Sequence, residues 1–135
     1  MNTIQYYEDL PDRLTTAQLQ DEFAAVLAAD PSREASSIAA ALFELSERQW
    51  NSCELASEGL RRDVAKMVLR VWNDQDLDCA ECLLGVISRL GLADVLGHLR
   101  EKDASSFSAS VRTALKEAIE EFGATVDDPY SGRKK

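Results

Sequence analysis

Apolar positions recur along this chain at intervals of three and four residues, the period of a helix with one buried face, and strand-like alternation is nearly absent. Pro11 closes a short N-terminal segment, after which Thr15 and Gln18 have the form of a capping box ahead of Leu19, Phe23, Val26 and Leu27. This helix is expected to stop at Asp30-Pro31. Asp30 then caps a second helix with Pro31 at its first position and Ile38, Leu42 and Leu45 as its stripe. Beyond a polar break at Asn51-Ser52, a third helix is predicted from about Glu54 to Trp72, carrying Leu60, Val64, Met67, Val68 and Val71.

The polar run Asn73-Asp74-Gln75-Asp76 is read as a connector to a fourth helix, in which Leu77, Ala80, Leu83, Leu84, Ile87 and Leu90 are apolar on more than one side. Such a helix belongs at the centre of a fold. Gly91 should end it, and Leu92, Val95, Leu96 and Leu99 mark a short fifth helix closing near Lys102-Asp103. Ser105 or Ser106 is expected to cap a last helix with the stripe Phe107, Val111, Leu115, Ile119 and Phe122, and Gly123 to stop it. From Thr125 to Lys135 the pattern is lost, so residues 125–135 are expected to form a tail to one helical domain over residues 1–124. The expected fold class is all-α, a single domain of about six antiparallel helices, arranged as an irregular bundle or a short hairpin stack of HEAT or armadillo geometry. The stack is preferred, although no clear sequence repeat supports it.

The chain has 135 residues and a formal net charge of −9. At this length one core suffices without disulfide or metal staples. An excess of acid argues against nucleic acid or an anionic membrane surface as partner, because phosphates demand a basic footprint. The first ten residues contain Glu8 and Asp9 and no base, unlike a secretory signal, and the longest apolar run, Phe23 to Ala29, is too short to span a bilayer. With its three cysteines, the chain is expected in the reducing cytoplasm.

The acidity is uneven. Residues 1–30 hold six acids against one base and residues 74–103 seven against three, whereas residues 31–73 and 104–135 balance. The densest cluster is Asp74, Asp76, Asp78 and Glu81, preceded by Trp72. A helix N-terminus stabilises one or two carboxylates in its first turn, by about 0.3–1 kcal/mol each. The rest, with an exposed Trp72 as anchor, are left to meet Lys and Arg of a partner. Tyr6 and Tyr7 beside Glu8 and Asp9 repeat this pairing of acid with aromatic, and Trp50 and Tyr130 are further aromatics at element ends.

Candidate chemistry is sparse. Counted from Asp74, an EF-hand would need Gly where Cys79 stands and Glu where Gly85 stands, so calcium binding of that type is excluded. Cys79 and Cys82 form a C-x-x-C within a predicted helix with no second pair, and read as small buried hydrophobes; Cys53 reads as exposed. The single histidine, His98, cannot build a multi-histidine site. No catalytic residues, metal ligands or cofactor are expected, and Gly-rich phosphate loops are absent.

Asp30-Pro31 opening a helix, the helix end Val71-Trp72-Asn73-Asp74, the Leu90-Gly91-Leu92 break and the run Asp128-Pro129-Tyr130-Ser131-Gly132 give the chain a family likeness. It resembles the small, acidic, all-helical immunity proteins of bacterial contact-dependent growth inhibition and related polymorphic toxin systems. The resemblance implies a non-enzymatic toxin inhibitor that binds one cognate toxin domain; the two-sided apolarity of the fourth helix is compatible with a monomer or a homodimer. Such toxins are often nucleases with basic grooves, which the acidic residues would occlude with Trp72 adding buried area. A helical-repeat adaptor is the competing reading.

Overall fold

The structure is a computed structural model, and its described residues are 1–126. Seven α-helices follow one another: α1 (Ile4–Glu8), α2 (Thr16–Leu27), α3 (Ala35–Asn51), α4 (Glu58–Val71), α5 (Leu77–Leu90), α6 (Ala93–Arg100) and α7 (Ala109–Phe122), with a short 3-10 turn at Ala104–Ser106. No strand occurs among the described residues, and no helix among them is long and apolar enough to cross a membrane.

The contacts sort the helices into two layers. α2, α4 and α6 neighbour one another in order, as do α3, α5 and α7, and α1 packs on α3. The helices therefore run as successive pairs within one all-α bundle, α2 against α3 and α4 against α5, with α6 and α7 less closely packed on one another. α3 and α5 share the most extensive contact. The central role expected of α5 holds: Cys79, Ala80, Leu83, Leu84, Val86, Ile87 and Leu90 are all buried. α3 is equally central, burying Ile38, Ala39, Ala41, Leu42 and Leu45, each fully enclosed. Burying a side chain of Leu or Ile size contributes about 1.5–3 kcal/mol, so these two helices supply the main cohesion.

Several boundaries differ from expectation for local reasons. The Thr15–Gln18 capping box forms as predicted. Asp30, however, does not cap α3. Its carboxylate accepts from the Ser32 N–H (3.0 Å) and hydroxyl (2.7 Å), closing a separate turn, and α3 starts only at Ala35. α4 starts at Glu58 under a Ser57 cap and not at Glu54. In the preceding connector the Ser52 hydroxyl donates to the Gln49 carbonyl (2.6 Å) and accepts from the Glu54 N–H (3.2 Å), while the Gln49 amide holds the Glu54 carbonyl (2.7 Å). These bonds, with Cys53 in the left-handed region at φ 59°, give the backbone an alternative to helix.

The last helix is capped by Ser108, whose hydroxyl accepts from the Val111 N–H (3.2 Å), and not by Ser105 or Ser106. Those two serines belong to the 3-10 turn, itself capped by Asp103 (3.0 Å to the Ser105 N–H). Gly91 stops α5 in the left-handed conformation, as expected. Gly123 follows α7 with right-handed angles, and the chain continues through a turn to a buried Val126. Tyr130 and the rest of the run from Asp128 to Gly132 lie outside the described residues.

Candidate interaction surface

Trp72 is the C-cap of α4 and turns the chain into extended backbone, which brings the connector 73–76 against the connector between α6 and α7. Asp74 joins the two. Its Oδ1 accepts from the Trp72 indole N–H (2.7 Å) and from the Lys102 ammonium (2.8 Å), and its carbonyl accepts from the Ser108 N–H (2.9 Å). The Gln75 amide adds a bond to the Ser106 carbonyl (2.7 Å). Trp72 is half-buried against the core, not the exposed anchor expected, and Asp74 is engaged inside the molecule.

Burial would raise the Asp74 carboxyl, but the hydrogen bonds from Lys102 and Trp72 and the ammonium charge outweigh it, so the group is held below its ordinary 3.8. Because the folded value lies below the unfolded one, the stabilisation is complete above pH 3.8 and is lost as pH falls through the folded value. Asp74→Asn should therefore remove part of the acid sensitivity of unfolding and cost about 1 kcal/mol at neutral pH, the charged hydrogen bond being discounted for its partial exposure. Urea titrations at pH 3 and 7, followed by tryptophan fluorescence, would test this; equal pH dependence in wild type and variant would remove the bridge from the account.

Asp76 accepts from the Cys79 N–H (3.1 Å) as the N-cap of α5, and Asp78 stands in the first turn. The four carboxylates thus divide. Asp74 and Asp76 hold the fold, while Asp78 and Glu81 remain exposed on the outer face of α5. Glu81 lines a groove between α5 and α7 of about 340 Å³, whose α7 wall carries Glu117 and Glu121. Next to it on α3 lie Glu44 and Glu47, half-buried. Arg89, the cation lining this groove, is 3.1 Å from Glu47 and lies over the Trp50 ring at 5.5 Å. Cys82 registers the local field: burial first, then Asp78, Glu81, Glu44 and Asp76, push its thiol upward. Burial likewise pushes the Cys79 thiol to about 11, matching its reading as a small hydrophobe, and Cys53 is exposed.

The second predicted set sits on α1. Tyr7 is fully enclosed and meets Tyr6 edge-on at 5.1 Å, so it is a core residue and not a contact residue. The Tyr6 hydroxyl donates to Glu22, whose acceptance of that proton raises the phenol above its ordinary value. Glu8 and Asp9 are exposed, Asp9 accepting from the Gln5 amide (2.9 Å). No hydrogen bond or ion pair among the described residues joins the α1 set to the α5 set.

The carboxylates that do converge with Glu81 include Glu117 and Glu121, which the charge balance of residues 104–135 concealed. A sequence signal existed in their spacing of four, which places them on one face of α7. His98 is exposed at the end of α6. Among the described residues no group of three or more His, Cys, Asp and Glu is placed to hold a metal ion. Comparison of the chain with family models, curated proteins and solved structures finds no match.

Proposed function

We propose that the chain is a non-enzymatic inhibitor of the immunity-protein kind, which neutralises a cognate toxin domain in the cytoplasm by covering a basic surface with its acidic face. The observation supporting this is the convergence of Glu81, Glu117 and Glu121 on one groove whose bordering cation, Arg89, is already engaged by Glu47. Three carboxylates on rigid helices present a negative surface without reorganisation, which steers a basic partner and fixes its register. Asp78 extends that surface along α5, and Glu8, Asp9 and Tyr6 offer a separate, smaller contact. Trp72, Asp74 and Asp76 contribute by shaping the α5 N-terminus. The stack of helix pairs equally favours an adaptor, which would differ in having several weaker partners.

The test is capture of binding proteins on the immobilised chain, washed at about 0.05 M and 0.5 M salt, a range over which exposed ion pairs are increasingly screened. One basic protein, stoichiometric and released by salt, is the expected result. Its affinity should fall more than about tenfold for the Glu81→Gln/Glu117→Gln/Glu121→Gln variant, and co-expression with wild type should relieve its toxicity. Undiminished binding by the triple variant would move the interface elsewhere, and several sub-stoichiometric partners would favour the adaptor.

A further inference from the structure

The end of the stack carries a second surface of opposite sign. A groove of about 640 Å³ opens between α6, the 3-10 turn and α7, with Leu99, Phe107, Leu115 and Ile119 as its apolar floor. Its rim holds Arg100, Lys102, Arg112 and Lys116 against a single acid, Glu120. Lys102 is paired with Asp74, whereas Arg100, Arg112 and Lys116 have no ion-pair partner among the described residues. In a chain of net charge −9, this grouping runs against the composition. α7 thus has two differently charged faces, with Glu117 and Glu121 toward α5 and Arg112 and Lys116 toward α6.

The architecture says what shape fits the groove. α4 lies against both helices of the first pair, α2 and α3, and α6 lies against both helices of the second, α4 and α5. In each case the slot offered by one pair is filled by the first helix of the next. α6 and α7, less closely packed on one another than those pairs, leave the corresponding position open as the groove. We propose that it receives an acidic amphipathic helix of a partner protein, its apolar stripe on the Leu99–Ile119 floor and its flanking carboxylates against Arg100, Arg112 and Lys116. The groove residues of α7 run from Arg112 to Glu120, about 12 Å of helix, enough to seat two turns. The chain's own last nine residues, DDPYSGRKK, offer one large apolar side chain and three bases against two acids, the wrong chemistry for this rim.

The probe is a synthetic helical peptide with leucines at i, i+3, i+4 and i+7 flanked by glutamates, compared by fluorescence anisotropy with its lysine-flanked counterpart on the full chain. The glutamate peptide should bind about tenfold more tightly than the lysine peptide. Arg112→Glu/Lys116→Glu, both exposed positions, should reverse that preference, while Asp21→Asn/Asp63→Asn, exposed on α2 and α4, should leave it unchanged. Equal binding of the two peptides, no binding of either, or a preference surviving in the arginine and lysine variant overturns the proposal. Tighter binding by Tyr130→Ala would assign the groove to the chain's own C-terminal residues, and a dimer in sedimentation lost on Arg112→Glu/Lys116→Glu would assign it to a second copy; either overturns it too.

Discussion

Arg48→Ala should destabilise the fold by about 3–5 kcal/mol, the cost of breaking a buried, hydrogen-bonded charge pair from one side. Arg48 is only 6% exposed. Its guanidinium donates to the Glu44 carboxylate (2.6 Å) and carbonyl (3.1 Å), and to the carbonyls of Glu8 (3.2 Å), Leu10 (2.9 Å) and Pro11 (3.3 Å). Three of these acceptors lie at the last residue of α1 and in the segment after it, which has no strand or long helix to hold it; Arg48 pins that stretch to α3. Removal leaves the carbonyls of Glu8, Leu10 and Pro11 without this donor and Glu44 without its cation. A domain of this size has about 5–15 kcal/mol of stability in total, so the variant should be marginal. Arg48→Lys should recover little, because an ammonium cannot span the fork from Glu44 to three backbone oxygens. Urea unfolding with hydrogen exchange at residues 4–11 measures both effects. A loss below about 1 kcal/mol would mean that water replaces the guanidinium at little cost.

At the α3–α5 crossing, Gly85→Val is expected to cost about 2–3 kcal/mol through overpacking. A Cβ at position 85 would lie 2.6 and 2.8 Å from two Phe43 ring atoms, inside any tolerated contact. In an exposed helix Gly→Val would be favourable by about 0.3–0.5 kcal/mol, so the sign itself is diagnostic. Phe43→Ala should lower stability by itself yet relieve the clash, giving a non-additive double variant with a coupling of about 1–3 kcal/mol. Thermal and urea melts of the four proteins in this cycle decide it. Additive losses would show that the Phe43 ring swings away freely and that the crossing does not depend on glycine.

Much of this architecture was legible in the sequence because the information is local. The period of Leu60, Val64, Met67, Val68 and Val71 placed a helix without reference to any neighbour, the Thr15–Gln18 pair marked a start, and Gly91 marked a stop that needs a left-handed residue. The two-sided apolarity of α5 announced its central position. Where side chains competed for backbone groups the reading slipped by a few residues: Asp30 closes its own turn with Ser32, Ser52 and Gln49 hold the α3–α4 connector, and Ser108 takes the cap expected of Ser105 or Ser106.

The candidate site was legible only in part. The cluster of Asp74, Asp76, Asp78 and Glu81 lies within eight residues of sequence, yet what Asp74 and Glu81 do depends on groups 28 or more residues away, as the bond from Lys102 to Asp74 shows. Glu117 and Glu121 join Glu81 through packing of α7 on α5, and Tyr7 looks like Tyr6 until α1 docks on α3. Arg48 reads as an ordinary surface base of an amphipathic helix. The sequence by itself determined the helical content, the order of α2 to α7 and the excess of acid, because these follow from composition and from contacts within four residues; the short α1 was not among its elements. Only the tertiary structure decided which charges are spent inside the molecule and which are displayed, because desolvation and pairing depend on elements distant in the chain.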